Sequence, residues 1–279
     1  MKVKIWGCRG SLATPGADTL SVGGNTTCVE VSSNGMRVIL DAGTGIRALG
    51  QELAAEGAKR VEIFLTHLHL DHIEGLGFFA PFYDPECEVR VWGPPSSVRS
   101  LKERISRYLS SPLFPVEIHD LPATVTFEDM PDEPVELNGL RFSAHPVSHP
   151  GTTLGYRVEG DGAVLAFIPD HEPALGVDLE SLTSDWISGY QVAEGATLLL
   201  HDAQYSEAEY PQRMGWGHAS VKQTVGFASM TGAEQLLLFH HDPAHTDADL
   251  DELCARACEL WQGNGSPPAL AREGMELDL

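Results

Sequence analysis

Between residues 64 and 75 the chain reads FLTHLHLDHIEG. Three imidazoles and a carboxylate, His67, His69, Asp71 and His72, fall within six residues, directly after the apolar run VEIFL and ahead of a glycine. In an extended segment side chains alternate, so His67 and His69 point to the same side. Asp71 and His72 follow where the chain turns into a helix and can face a second point near the first. Neutral imidazole and carboxylate are the ligands that zinc and similar divalent ions prefer. Four such groups are costly to leave unpaired at a strand-to-helix turn. A metal site is the expectation, in preference to a cluster of idle surface histidines.

The elements that must position these residues can be read from periodicity. Short β-rich runs come first, KVKIW, TCVEVS and RVILD. AGTGIRALGQELAAEG follows, with apolar residues at helical spacing (Ile46, Leu49, Leu53, Ala54) and a closing Gly57. Next come VEIFL, the histidine-rich turn, EVRVWG and a helix near residues 96 to 109. A second strand series runs ATVTFED, LRFSAHPVSH, LGYRVE, AVLAFIPD and TLLLHDA. A helix from about 219, the strand QLLLFHH and a helix from about 247 to 262 close the chain. Two strand-rich halves, each with helices, predict an α/β protein of two sheets packed face to face with helices outside.

Length and composition set bounds on function. With 279 residues, 42% hydrophobic and 21% charged, and no low-complexity run or Pro/Gly/Ser linker, one large globular domain is expected. Lysine and arginine number 18 against 40 acidic residues, a net charge of 18 − 40 = −22. Such a surface repels long polyanions and lacks the basic footprint of a nucleic-acid-tracking protein. The opening MKVKIWGCRG has no apolar core behind its lysines and reads as an edge strand, not a signal peptide. No apolar run approaches the roughly 20 residues of a membrane span. Five cysteines form no disulfide pattern, and Cys254 and Cys258 read as buried free thiols. A cytoplasmic location is expected.

H-x-H-x-D-H at a strand end also resembles the metallo-β-lactamase superfamily, and the likeness runs along nearly the whole chain. It implies a four-layer αββα sandwich in a single domain, 1–279, holding two divalent ions, zinc foremost and manganese, iron or cobalt as alternatives. Asp41 in VILDAGTG stands where that family has an aspartate bracing the metal site. His149 in VSHPGTTLGY, Asp170 in AFIPD and His240 in LLLFHHDP match its later ligands. The implied sets are His67, His69, His149 and Asp170 for one ion, and Asp71, His72, Asp170 and His240 for the other. His241 competes with His240, and alternation lets only one face the metals. Pro169 stands where the family usually has glycine.

Asp202 in LLLHDAQ and His218 in GWGHAS look like the carboxylate–histidine pair of the ribonuclease Z-like phosphodiesterases. The resemblance implies that His218 assists departure of the leaving oxygen and Asp202 orients it, with Asp71 also in the catalytic set. A helix N-terminus disfavours the imidazolium and a carboxylate favours it, so a pKa near neutrality is expected. The tRNA-clamping arm of ribonuclease Z is a long insertion between the third histidine and the bridging aspartate. Here 170 − 149 = 21 positions separate His149 and Asp170, room for a hairpin. The extra length falls at 171–192, where it could cap the site or reach a partner.

WGCRGSLATPG…GGNTTCVEV resembles small bacterial members of this branch, several of them cyclic-nucleotide phosphodiesterases. Its glycines could offer N–H groups to a phosphate or simply make tight turns. The expected function is hydrolysis of a small phosphodiester, foremost a cyclic nucleotide, by a hydroxide shared between the metals, with His218 as general acid. A lactonase- or thioesterase-type hydrolase, a tRNA 3′-processing nuclease and a non-catalytic metal-binding sensor are the alternatives. A homodimer is compatible with the aromatic stretch 76–85, which core packing explains as well. His145 and His245 have no ligand spacing, His119 and His201 read as structural, and His171 adjoins Asp170 close enough to touch substrate.

Overall fold

The computed structural model describes residues 1–263 and 265–279. The first half supplies β1 (Lys2–Gly7), β2 (Cys28–Ser33), β3 (Met36–Leu40), α1 (Ile46–Ala55), β4 (Arg60–Phe64), α2 (Leu70–Ile73), β5 (Glu88–Gly93), α3 (Leu101–Ile105) and β6 (Thr124–Asp129). The second supplies β7 (Val135–Leu137), β8 (Leu140–Pro146), β9 (Leu154–Gly160), β10 (Ala163–Ile168), α4 (Tyr190–Ala193), β11 (Leu198–Asp202), α5 (Tyr210–Arg213), α6 (Val221–Thr231), β12 (Leu236–Phe239), α7 (Asp247–Leu260), β13 (Ala269–Leu270) and β14 (Glu276–Asp278).

Two seven-stranded sheets result, ordered β14-β1-β2-β3-β4-β5-β6 and β13-β12-β11-β10-β9-β8-β7. Strands β3 to β6 run parallel in the first, and β10 to β13 run parallel in the second. The inner faces share one core in which Phe64 stacks on Phe142 at 4.5 Å and meets Tyr156 edge-on. On the outer face of the first sheet, Ile46, Leu49 and Leu53 of α1 pack over Ile39, Val61 and Ile63. Helices α6 and α7 bury Val225, Phe227, Leu250 and Ala257 with the second sheet. This is the four-layer αββα sandwich.

Helix ends follow local chemistry. Ser220–Gln223, Thr246–Asp249 and Ser100–Glu103 form reciprocal capping boxes at the starts of α6, α7 and α3. Each cap contributes about 1 kcal/mol. Three local expectations change. The helix expected near 96 to 109 shrinks to α3, because Ser100 caps it and the chain beyond Ile105 winds into turns ahead of Pro112. Strand β1 is not an edge, since β14 returns to pair outside it, Val3 opposite Leu277. Cys258 is exposed rather than buried, and both its thiol and that of Cys254 lie against the Pro268 carbonyl.

Candidate metal centre and its acid–base pair

The chemistry gathers beyond the C-terminal ends of the parallel strands, where an open α/β sheet leaves a crevice for ligands. Asp41 follows β3, the H-x-H-x-D-H turn follows β4, Asp170 follows β10, Asp202 ends β11 and His240 follows β12. His149 arrives from the loop after β8. Both sheets thus deliver side chains to one place. Asp41 (φ 60°) and His240 (φ 56°) sit in the left-handed region, which non-glycine residues rarely occupy. Strain of this kind collects at functional sites.

Two four-residue groups form, each with its nearest ligand-type atoms within 4.8 Å of one another: His67, His69, His149 and Asp170, then Asp71, His72, Asp170 and His240. Asp170 joins them. Its Oδ2 is 3.7 Å from His67 Nε2 and 3.6 Å from His149 Nε2, and its Oδ1 is 3.0 Å from His72 Nε2 and 3.1 Å from His240 Nε2. Asp71 Oδ2 lies 3.3 Å from His72 Nε2 and 3.2 Å from His240 Nε2. Donors about 2.1 Å from one ion stand roughly 3.0–3.4 Å apart; the second group's spacings fall in that range, and those of Asp170 to His67 and His149 in the first are a few tenths of an ångström wider. His67 Nε2, His72 Nε2 and Asp170 Oδ1 are buried without a hydrogen-bond partner among the described residues. Atoms left so are what an ion would satisfy.

The other ring nitrogens of His72, His149 and His240 are fixed from behind, as metal-binding histidines require. Asp41 Oδ2 is 2.7 Å from His72 Nδ1, and the same carboxylate accepts the Thr66 N–H at 2.7 Å and the Thr66 hydroxyl at 2.8 Å. Gly217 O meets His149 Nδ1 at 2.8 Å, and Gln204 Oε1 meets His240 Nδ1 at 3.1 Å. The Ser11 N–H donates to Asp71 Oδ2 at 2.7 Å. Without metal, His72 carries the compensating positive charge. Burial works against it, yet Asp170, Asp71 and Asp41 hold its pKa well above the usual value. Burial, reinforced by the charge on His72, pushes His67 well below.

Asp202 and His218 are brought together at 2.7 Å, Oδ2 to Nδ1. The His218 ring lies 5.0 Å from both His149 and His240, between the two groups. The N–H groups of His171, Gln204 and Ala219 also converge on Asp202 and hold its orientation. Asp202, His218 and His240 form a third close group, but those bonds already occupy the Asp202 oxygens. In the metal-free protein the pKa of His218 lies above the near-neutral expectation. Burial lowers it, Asp202 outweighs burial, and His218 is raised to about 9. His218 also precedes α6, whose cap is Ser220, so the helix end is not its main neighbour. Divalent ions nearby would repel the imidazolium and bring the value down.

His241 turns away, although the chain has left β12 and His240 is left-handed, so the separation comes from the turn and not from strand alternation. His241 is buried, bonds Ala271 O at 3.0 Å, and its pKa is lowered to about 3 by burial. His171 does not reach a substrate position: it is buried, with Nδ1 2.9 Å from His201 Nε2. His119 is a surface residue beside Glu117 and Asp120. In 76–85, Phe79 and Phe82 are core residues and Phe78 is exposed. The Gly/Thr loop spends its N–H groups internally: Gly10 on His241 O, Ser11 on Asp71, Thr14 on Gly24 O and Thr26 on Thr44. Those four N–H groups are therefore already satisfied within the protein. A Cβ on Gly10 would fall 2.3 Å from the His240 ring, so that glycine permits close approach.

Sequence reasoning missed four supports. Gln204 and Ser11 are described above. Glu172, fully buried, accepts from Tyr210 Oη at 2.6 Å and from the N–H groups of Gly215 and Gly217 at 3.0 Å, and so holds the segment that carries His218. Arg9, also fully buried, donates to Gly23 O, Asp242 O and His245 O. Both are charged residues in apolar or glycine-rich surroundings, a faint signal.

The Beta-lactamase superfamily domain model matches residues 36–241. A Ribonuclease Z from Myxococcus xanthus (strain DK1622) is 25% identical over 258 residues, 78% of this chain and 80% of its own. The crystal structure of the metallo-β-lactamase fold protein YhfI from Bacillus subtilis superposes with a TM-score of 0.70 at 18% identity, covering 99% of this chain and 98% of the other. A structure described as a new diphosphatase from the PhnP family gives 0.69 at 20% identity, covering 100% and 97%. Among the described residues no helix is long and apolar enough to cross a membrane. The chain belongs to the β-lactamase superfamily, as a metal-dependent hydrolase of the metallo-β-lactamase fold.

Proposed function

We propose that this hydrolase, acting as one domain over 1–279, cleaves a small phosphodiester, with a cyclic nucleotide as the leading substrate. The observation that carries the reading is the Asp202–His218 pair, 2.7 Å apart, with the His218 ring 5.0 Å from both ligand groups. His67, His69, His149 and Asp170 would hold one divalent ion, and Asp71, His72, Asp170 and His240 the other. Such ions supply Lewis acidity and an activated water. Asp170 and Asp71 position them, and Asp41, Gln204 and Gly217 keep the ring nitrogens oriented. Nδ1 of His218 is engaged by Asp202, which leaves Nε2 to give its proton to the departing oxygen. A water oxygen bonds to phosphorus, the ester P–O bond breaks, and the alkoxide leaves as an alcohol with that proton.

Replacing His218 by alanine should leave metal content intact and remove roughly 10²–10⁴-fold of rate on a ribose-leaving substrate. The defect should shrink for bis(p-nitrophenyl) phosphate, whose leaving group needs little protonation. Equal losses on both would reject the acid role. The relatives named Ribonuclease Z favour a second reading, tRNA 3′-end processing. The net charge of −22 and the hairpin-length 149–170 segment argue for the small substrate. Site-specific cleavage of a tRNA precursor faster than a cyclic mononucleotide would reverse that choice.

A further inference from the structure

We propose that Trp216 is a stacking platform for a planar ring carried by the substrate. This rests on the phosphodiesterase reading and narrows it to diesters bearing a nucleobase or similar ring. Trp216 lies in the strap Met214–His218, two residues before His218. The buried Glu172 carboxylate clamps that strap by accepting the N–H groups of Gly215 and Gly217, on either side of the tryptophan. Both glycines take left-handed conformations, φ 83° and 90°. The strap rests directly on the candidate metal centre: Gly217 O meets His149 Nδ1, and a Cβ on Gly217 would fall 2.5 Å from that nitrogen. The backbone beside Trp216 is therefore fixed against a ligand residue, yet its indole is 61% exposed.

On a strongly acidic protein, residues next in sequence to the ligand groups and to the strap expose apolar side chains: Leu70, between His69 and Asp71, is 61% exposed, and Met214 in the strap and Leu12, the residue after Ser11, are exposed as well. Arg213, the adjacent cation, is tied to Asp242 at 3.1 Å and lies over Tyr205. A cluster of ligand groups whose chain neighbours expose apolar side chains suits a ligand with one anionic group and a flat uncharged body. Indole offers such a body a π-face whatever the base. A backbone fixed before binding leaves only the indole to be ordered when the ring docks.

The test uses the full chain, metal-loaded, with Trp216→Ala and Trp216→Phe. Adenosine 2′,3′-cyclic phosphate and glycerol 1,2-cyclic phosphate share the reacting group and differ in the ring. Trp216→Ala should lower the kcat/KM ratio of the first to the second by roughly 5- to 150-fold, the usual worth of stacking one base. The loss should lie mainly in KM, and Trp216→Phe should restore most of it. Calorimetric binding of adenosine 5′-phosphate should weaken by a similar factor relative to ribose 5-phosphate. An unchanged ratio in both measurements would overturn the platform. If the wild type hydrolyses neither cyclic phosphate, the phosphodiesterase reading falls, and the binding comparison alone decides on Trp216.

Discussion

Asp41→Asn tests how the second ligand group is prepared. The aspartate is fully buried at φ 60°, and asparagine tolerates that backbone as few residues do. The replacement therefore changes hydrogen bonding and leaves shape alone. With its amide oxygen kept on the Thr66 N–H, its NH₂ faces the Thr66 hydroxyl and His72 Nδ1, where Asp41 now accepts at 2.8 and 2.7 Å. Two donors then confront each other. His72 must turn Nδ1 into an acceptor and carry its proton on Nε2, the atom 3.0 Å from Asp170 Oδ1 that should meet the ion. Losing such an outer partner costs about 10- to 100-fold in metal affinity, or about 1.4–2.7 kcal/mol. A chelator-competition titration should show the second ion weakened by that factor while the first keeps its affinity. Asp41→Ala should add a separate loss in metal-free stability of about 1–3 kcal/mol, because the buried Thr66 N–H loses its acceptor. Two ions bound at wild-type affinity in Asp41→Asn, or equal weakening of both, would refute the reasoning.

Other outcomes follow from the same geometry. Asp170→Ala should lose both metal equivalents by elemental analysis, since its two oxygens face different groups. His240→Ala should lose the second ion only. His241→Ala should keep both ions yet unfold at lower temperature, having left the buried Ala271 carbonyl unpaired at a cost of about 1–3 kcal/mol. Metal uptake should release protons, because His72 holds one in the metal-free protein and an ion must displace it. Affinity should therefore rise with pH through the neutral range, and calorimetry in buffers of different ionisation enthalpy should count at least one proton released. Uptake with none released would contradict the charge assigned to His72.

What could be read in advance was what is local. The turn after β4 carries four of the converging side chains within six residues. The longer strands of the two sheets stood out by alternation or by short apolar runs over four to seven residues. β7, β13 and β14 escaped because they are two or three residues long, and β14 is what removes β1 from the edge. Long-range supports left no such trace. Arg9 meets the His245 carbonyl 236 residues away, and Glu172 finds its partners 38 to 45 residues downstream. The raised pKa of His218 in the metal-free protein depends on how deeply Asp202 and the ring are buried together, which spacing does not encode.

The pairing of the two chain ends has a consequence for assembly during synthesis. Gly10 packs against the His240 ring, its N–H bonds His241 O, and Arg9 is stitched to residues 242 and 245. A nascent chain grown to Asp170 already carries six of the seven converging side chains, and the four for the first ion are among them. The second group waits for residue 240 to emerge and for the earliest loop to close over it. Joining segments so far apart in sequence is slow. The second group therefore forms only when the segment carrying His240 folds back upon the loop at residues 9 to 11, whereas the first draws on no ligand beyond residue 170.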